Sequence, residues 1–327
     1  GPFPSLPDFV DHAESAARSF PLREVRTWVP GAGLPLFPRV DSAEIFARFV
    51  AHPRLGDTDR PDGWRARGHR EFDAALDKKF MQFSDTPPSP DHWPVLKGAS
   101  FDLWTPDTGD YYAWIDPEVA IAELERRRAR GAGNCRSAFS EMDRSWLEDP
   151  SALPCLNARI AIRDVTNRTN QRTVITCVVP GSRVLTNMAP YLLWPRGSVR
   201  DHAYVLGVLS SIPLDWYARR IVETHVNFYI LNCFPIPAPS PGDSRRIEIE
   251  ILAANLVRQD RRLVDWAPGI ARRDVSDRDD SVARIDALVA SLYGLERRDV
   301  VHIFETFHEG WDYTDHLERV LTHFDSL

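Results

Sequence analysis

Proline is the residue that most limits how this chain can fold. The sequence has 26 prolines, and seven of them lie within the first 38 residues. Because proline lacks a backbone N–H and clashes with the preceding helical turn, helices in this region are predicted to be short. A second cluster, SDTPPSPDHWP at residues 84–94, is typical of a boundary or linker.

These breaks divide the chain into three predicted segments. Residues 1–83 form a mixed N-terminal connecting region, residues 84–240 a core with β-rich runs, and residues 241–327 a helical C-terminal region. The predicted fold class is therefore α+β, a β-rich core with flanking helices and a helical C-terminal region.

Local patterns give the elements of each segment. Asp116-Pro117-Glu118 predicts a helix start, because a capping carboxylate, a proline and an acid follow one another. The run NARIAIRDV from residue 157 alternates, and TVITCVVP from residue 173 is β-branched, so both are predicted strands. Further helices are predicted at 41–50, 69–80, 202–226 (interrupted at Pro213), 244–262, 282–292 and 299–304, and further strands at 94–104 and 227–237.

Composition constrains the environment and the chemistry. No apolar run approaches the roughly 18 residues that a membrane helix needs, and no signal peptide is present, so a membrane partner is not expected. Four widely spaced cysteines form no CxxC pair, which predicts free thiols in a cytoplasmic protein and no metal site. The chain begins Gly1-Pro2, the remnant that tag removal leaves, so we expect it to be a piece of a longer protein.

Charge is distributed unevenly along the chain. The formal net charge of −7 argues at first against nucleic-acid binding. Residues 155–200, however, contain seven arginines and one aspartate, a local charge of +6. Residues 301–327 contain six acids and one arginine, a local charge of −5. Because exposed charges are screened beyond about 8–10 Å, a basic surface on an acidic chain can still attract phosphate.

The stretch RIAIRDVTNRTNQRT at 159–173 is the strongest candidate for DNA contact. Arginine pairs with guanine, and asparagine or glutamine pairs with adenine, in the major groove. Four arginines fall within residues 159–172, where background frequency predicts about 1.6 (37/327 × 14), so a solvated hairpin in an arginine-rich protein remains an alternative. The candidate contacts are Arg159, Arg163, Thr166, Asn167, Arg168, Thr169, Asn170 and Arg172, with Lys97 assisting.

Two other function classes are open. Pro61-Asp62 followed by Asp77-Lys78-Lys79 fits the spacing of a PD-(D/E)xK nuclease, in which Asp62, Asp77 and Lys79 would hold Mg²⁺ and the scissile phosphate. Their surroundings read as helical, which disfavours that site. The acidic helical tail at 301–327 is alternatively a docking surface for a partner subunit, which would make the chain a protein-interaction module.

Several segments taken together resemble one family. The order of these segments along the chain is similar to that in the C-terminal half of large adenine-specific DNA methyltransferases. These are the type IIG restriction–modification enzymes and the related BREX- and Pgl-type phage-defence methyltransferases. The most specific element is the string R-D-V-T-x-x-T-N-x-R-T, here Arg163 to Thr173. The segments are WRARGHREFDAALDKKF (64–80), PVLKGASFDLW (94–104), ARIAIRDVTNRTNQRT (158–173), VLTNMAPYLLW (184–194), NFYILNCFPIP (227–237) and RIDALVASLYGLERRDVVHIFETF (284–307).

The resemblance implies a target-recognition domain that reads duplex DNA and presents the target adenine. Family catalysis uses a glycine-rich S-adenosylmethionine loop and an N-P-P-Y motif, and this sequence has neither; NMAPY at 187–191 departs from the motif at two positions. The resemblance therefore implies no catalytic residue and no cofactor in this chain. S-adenosylmethionine would belong to a catalytic half of the same polypeptide. The implied partners are double-stranded DNA, that catalytic half and other defence-system subunits.

Overall fold

The computed structural model describes residues 5–16, 20–29, 33–39, 41–57, 63–135, 137–195 and 197–327. The helices are α1 (Leu6–Ala16), α2 (Leu22–Trp28), α3 (Ser42–Val50), α4 (Pro117–Ala132), α5 (Arg144–Glu148), α6 (Val199–Leu209), α7 (Ile212–Ala218), α8 (Phe228–Leu231), α9 (Ser244–Val257), α10 (Arg278–Leu292), α11 (Arg297–Glu305) and α12 (Thr314–Asp325). The strands are β1 (Arg67–His69), β2 (Trp93–Leu96), β3 (Ala113–Ile115), β4 (Arg159–Ile162), β5 (Thr176–Val179), β6 (Val184–Leu185) and β7 (Tyr191–Leu193).

Short strands form two small sheets. One has the order β1-β7-β4-β5 with antiparallel neighbours throughout, and Ile160 of β4 lies opposite Val178 of β5. The other has the order β3-β2-β6, in which β2 runs antiparallel to β3 and parallel to β6. Because the helices follow in a C-terminal block, the predicted α+β class with a helical C-terminal region is confirmed.

The central sheet is covered on both faces at β4. Ile160 and Ile162 point into the largest apolar cluster, as the alternation predicts. Ala161 points to the opposite face, where it packs with Cys177 and Tyr191 in a second cluster. All four residues of β4 are consequently buried, and a side chain that leaves this strand on either face enters protein rather than solvent.

Helices α6, α9, α10 and α12 pack against one another at the C-terminal end of the chain. Gly207 lets α6 and α9 approach closely, because a Cβ at this position would lie 2.5 Å from Cγ2 of Ile249. Helix α10 is capped by Asp277, which accepts from the N–H of Asp280, and it ends before Gly294 with φ +69°. No helix within the described ranges is long and apolar enough to span a membrane.

The largest apolar cluster joins all three predicted segments. Phe46 of α3, Ile160 of β4 and Leu288 of α10 all belong to it, and each is at most 1% exposed. Burying each such side chain stabilises the fold by about 1.5–3 kcal/mol. The N-terminal and C-terminal segments thus share a core with the central one, while the division at residues 83 and 240 stays a prediction.

Two predicted elements are wrong. Residues 69–80 contain the end of β1, turns and a 3₁₀ turn at Lys78–Phe80 instead of a helix. Residues 227–237 begin with the short helix α8 instead of a strand, because the side chain of Asn227 accepts from the backbone N–H of Ile230 and caps it.

Candidate nucleic-acid interface

The β4–β5 loop, residues 163–175, contains most of the candidate DNA contacts. It leaves the sheet beside residues 224–226, where the N–H of Thr166 donates to the carbonyl of Thr224 at 3.0 Å. The carbonyl of Asp164 accepts from the N–H of Val226 at 2.8 Å. These two bonds extend the strand pairing beyond β4 and fix where the loop begins.

Arg219, which follows α7, holds the tip of the loop by its backbone. Its guanidinium donates to the carbonyls of Arg168, Asn170 and Gln171 at 2.8, 2.7 and 2.6 Å. The residue is only 3% exposed, so these carbonyls are satisfied by protein instead of water. A guanidinium suits this role, because its planar fork presents several donors in fixed directions.

A second set of hydrogen bonds holds the base of the loop. Nε of Arg172 donates to Asp215 of α7 at 2.6 Å, and the same carboxylate accepts from the N–H of Thr173 at 3.0 Å. The hydroxyl of Thr166 closes the loop by donating to the carbonyl of Thr173 at 2.8 Å. Asp215 is fully buried, so this carboxylate is an internal anchor.

Residues between α11 and α12 support the loop from a third side. Nε2 of His308 lies 2.8 Å from the carbonyl of Thr169, and the hydroxyl of Tyr313 donates to the carbonyl of Gln171 at 3.0 Å. Nδ1 of His308 accepts from the N–H of Gly310, which leaves Nε2 as the donor and selects the neutral tautomer with its proton there.

The side chains at the tip of the loop face solvent. Five consecutive residues are exposed there: Asn167, Arg168, Thr169, Asn170 and Gln171. Of these, Asn167 also shapes the loop, since its Oδ1 accepts from the N–H of Thr169 at 3.0 Å. The loop thus combines a tied backbone with a row of polar side chains able to hydrogen-bond bases and phosphates.

The structure buries Arg159, which the sequence analysis predicts to contact DNA. The guanidinium of this residue lies inside the fold, 2.9 Å from Glu71 and 3.0 Å from the carbonyl of Arg183, and the residue is 6% exposed. Burial raises the pKa of Glu71, and Arg159 opposes that shift. Because both faces of β4 are covered, Arg159 is buried and paired with Glu71, which disfavours the DNA contact predicted for it.

Three other candidates hold the loop rather than project from it. Thr166 and Arg172 make the internal bonds described above. Arg163 donates to the carbonyls of Gly98 and Phe101 at 2.7 and 2.6 Å, and burial lowers its pKa. A Cβ at Gly98 would lie 2.8 Å from Cγ of Arg163, so glycine permits this close approach. Lys97 forms an ion pair with Asp110 at 2.7 Å and is 30% exposed.

Positive charge accumulates beneath the loop. Arg172, Arg219 and Arg220 lie near the buried carboxylate of Asp215, and Arg168 lies near Arg220. Burial lowers the pKa of Arg219, and burial together with Arg219 lowers the pKa of Arg220 to about 10. Arginines are therefore concentrated beneath this loop although the whole chain is acidic.

Sequence reasoning missed the residues that hold the loop from outside it. Asp215, Arg219 and His308 are separated from the loop by tens of residues, and no local pattern links them to it. The signal available was the pair of adjacent arginines in DWYARR, where charges follow a buried helix.

The nuclease pattern does not assemble into a described site. Asp62 lies outside the described residues. Asp77 is held by Arg127 at 2.8 Å and by the N–H of Asp73, so its carboxylate is occupied. Nζ of Lys79 lies over the ring of Phe80 at 4.9 Å. Within the described ranges, no three histidine, cysteine or acidic side chains are grouped to hold a metal ion.

The acidic tail is partly used inside the fold. Its helix α12 packs on α10, where His316 lies 2.7 Å from Asp286 and Arg319 lies 2.9 Å from Asp277. The carboxylates of Asp315 and Glu318 belong to exposed residues. A docking role for this surface stays a prediction.

The chain has structural likenesses among solved proteins. No protein-family profile matches the chain, and no curated protein matches it. Among solved structures, the chain is similar to the Type IIL restriction-modification enzyme MmeI in complex with DNA, at 13% identity and a TM-score of 0.38. The match covers 74% of this chain and 35% of that enzyme, so the chain spans about a third of its length. At this identity and TM-score the likeness carries no argument about function, which has to come from the residues themselves.

Proposed function

We propose that this chain is a DNA sequence-recognition domain of an N6-adenine DNA methyltransferase that acts in restriction–modification or phage defence. The observation that carries the proposal is the β4–β5 loop, whose backbone carbonyls are tied to Arg219 while five polar side chains stay exposed. The resemblance of Arg163 to Thr173 to the family string supports the same function.

A loop whose backbone is held by hydrogen bonds is physically well suited to base recognition. A mobile loop loses conformational entropy when it orders on DNA, and this loss opposes binding. In the β4–β5 loop, Arg219, Arg172 and His308 restrict the backbone before DNA arrives. Arg168 would then pair with guanine or phosphate, and Asn170 or Gln171 with adenine, in the major groove of duplex DNA.

The proposed division of labour places chemistry outside this chain. The domain would bind double-stranded DNA and position the target adenine for a catalytic half of the same polypeptide. S-adenosylmethionine would bind to that half. Other defence-system subunits are further proposed partners.

The test is a comparison of two single substitutions in binding selections. The chain is incubated with a pool of randomised duplexes at two salt concentrations, and the bound duplexes are sequenced. Asn170→Ala removes an exposed amide with no side-chain bond within the described residues, so the fold should be unaffected. Gln82→Ala removes an exposed amide away from the loop and is the matched control.

We expect the unaltered chain to enrich a sequence and to bind more weakly at higher salt. Asn170→Ala should relax the preference at one base pair, which corresponds to a loss of about 1–3 kcal/mol for the preferred base. Gln82→Ala should leave the preference unchanged. The proposal fails if the unaltered chain binds no duplex, or if Asn170→Ala and Gln82→Ala give identical preferences.

A further inference from the structure

A cleft beside the β4–β5 loop contains a buried arginine that has no carboxylate partner among the described residues. The cleft has a volume of about 380 Å³ and lies between residues 36–38, the end of α7 and residues 306–309. Arg168 and Thr169 of the loop form one of its walls, so the cleft adjoins the exposed tip directly.

Arg220 is the unusual group in this cleft. The residue is 9% exposed, and its Nε donates to the carbonyl of Trp216 at 3.1 Å. Its Nη2 reaches the carbonyl of Thr306 at 3.4 Å, which is a long bond. Within the described part of the chain no carboxylate pairs with it, and its Nη1 makes no hydrogen bond. Its guanidinium also lies over the ring of Trp216, 5.0 Å from the ring centre. The contacts of this buried cation within the described residues are thus two carbonyls and an aromatic face, and an anionic ligand would supply the negative charge that they do not.

Neighbouring residues add to the excess of positive charge around Arg220. Arg219 lies next to it, and its Nε, 3.5 Å from Asp215, makes no hydrogen bond to any residue that the structure describes. Asp215 already accepts from Arg172 and from the backbone of Thr173. Glu309 contributes one exposed carboxylate at the rim, so the described lining of the cleft has three guanidinium groups, those of Arg168, Arg219 and Arg220, and one carboxylate.

We propose that the cleft beside Arg220 is a phosphate-binding site, and that in the proposed DNA-recognition function it takes a backbone phosphate next to the bases that the β4–β5 loop contacts. This inference rests on the proposed function for the source of the phosphate but not for the chemistry of the site. A guanidinium matches the oxygens of a phosphate with two parallel donors, and it is weakly hydrated enough to work in a partly buried site. Phe37 and Pro38, which are partly buried, form an apolar wall that lowers the local polarity and so strengthens such an interaction. A phosphate held here would fix the register of the loop on the duplex, as backbone contacts generally do.

The experiment uses the full 327-residue chain and two matched substitutions. Arg220→Met replaces the buried cation by an apolar side chain of similar length. Arg144→Met makes the same change at an exposed arginine of α5, whose guanidinium pairs with Glu148. One arm measures the thermal midpoint in sodium phosphate and in sodium chloride at equal ionic strength. The other arm measures duplex affinity at several salt concentrations.

The site predicts a distinctive combination of results. Arg220→Met should keep or raise the thermal midpoint in chloride, since an uncompensated buried charge is removed. It should abolish the stabilisation by phosphate, weaken duplex binding about tenfold and reduce the slope of log affinity against log salt by about 0.9. Arg144→Met should change neither the phosphate effect nor the slope.

Other outcomes separate the two proposals. If Arg220→Met and Arg144→Met behave alike in both arms, the phosphate site is wrong while DNA recognition by the loop stands. If phosphate stabilises the unaltered chain through Arg220 but the salt slope does not change, the ligand is a free phosphate and the backbone contact is wrong. If no duplex binds at all, the proposed function fails, and the phosphate arm alone decides the site.

Discussion

Replacing Arg219 by lysine should loosen the β4–β5 loop without changing any side chain in it. The guanidinium of Arg219 donates to three loop carbonyls at 2.6–2.8 Å. Lysine keeps the positive charge but has one ammonium on a stem without the planar fork. We expect Arg219→Lys to retain at most one of the three contacts.

The magnitude follows from the bonds that are lost. A hydrogen bond to a charged group contributes about 1.5–3 kcal/mol. The lower value applies here, because the carbonyls belong to exposed residues and can bind water once Arg219 no longer holds them. Two lost bonds therefore reduce the local stability of the loop by about 3 kcal/mol. Because exchange through local opening follows this free energy, amide exchange in the loop should accelerate roughly 100-fold.

Hydrogen–deuterium exchange measured on peptides covering residues 167–173 tests this expectation. Arg258→Lys is a matched control, because Arg258 also holds a loop by its carbonyls, those of Trp266, Ala267 and Ile270. Arg258→Lys should accelerate exchange at residues 266–271 only. In the proposed function, Arg219→Lys should also weaken duplex binding, whereas Arg258→Lys should not.

Two results would refute the reasoning. Unchanged exchange at residues 167–173 in Arg219→Lys would show that other contacts fix the loop. Accelerated exchange of the β4–β5 loop in Arg258→Lys would show that both changes act through global stability.

Two further predictions concern buried ionisable groups. Arg159→Met should lower the free energy of unfolding by about 3–5 kcal/mol because it leaves Glu71 buried without its cation, and Arg159→Met with Glu71→Gln should recover at least half of that loss in urea unfolding; a double variant as unstable as the sum of the two single variants would contradict this. His69 has its pKa lowered to about 4 by burial, with Arg70 adding to the effect. Since the unfolded chain takes up this proton below pH 6.5 and the folded chain only near pH 4, stability falls as pH drops through that window, by about 2 kcal/mol at pH 5. His69→Phe should remove this part of the pH dependence between pH 7 and pH 5, and an unchanged difference would contradict the assignment.

The sequence predicted correctly those helices and strands that are determined by residues close together in the chain. The helix after Asp116 forms as predicted, because the carboxylate of Asp116 accepts from the N–H groups of Glu118 and Val119. Strands β4 and β5 follow from alternation and β-branching. The prediction for residues 227–237 was wrong because their aromatic and aliphatic composition favours a strand. The helix cap formed by the side chain of Asn227 outweighs that preference.

The sequence predicted the loop as a candidate site, but it did not predict which of the loop's residues are exposed and which are buried. Counting arginines could not separate Arg168, which is exposed, from Arg159, which is paired with Glu71. The pairing depends on a partner 88 residues away, and that of Arg172 with Asp215 spans 43 residues. Arg163 and Arg172, which anchor the family string, proved to be internal supports of the loop.

The way the β4–β5 loop is held separates its shape from its surface chemistry. Arg219 binds carbonyl oxygens, which every amino acid possesses, so the support does not depend on which side chains stand at positions 168, 170 and 171. Substitutions at these three positions should leave the unfolding free energy within about 0.5 kcal/mol of its original value. Such a loop can exchange one set of contacts for another in single mutational steps, without passing through unfolded intermediates, and it is a suitable position for libraries that search for altered binding.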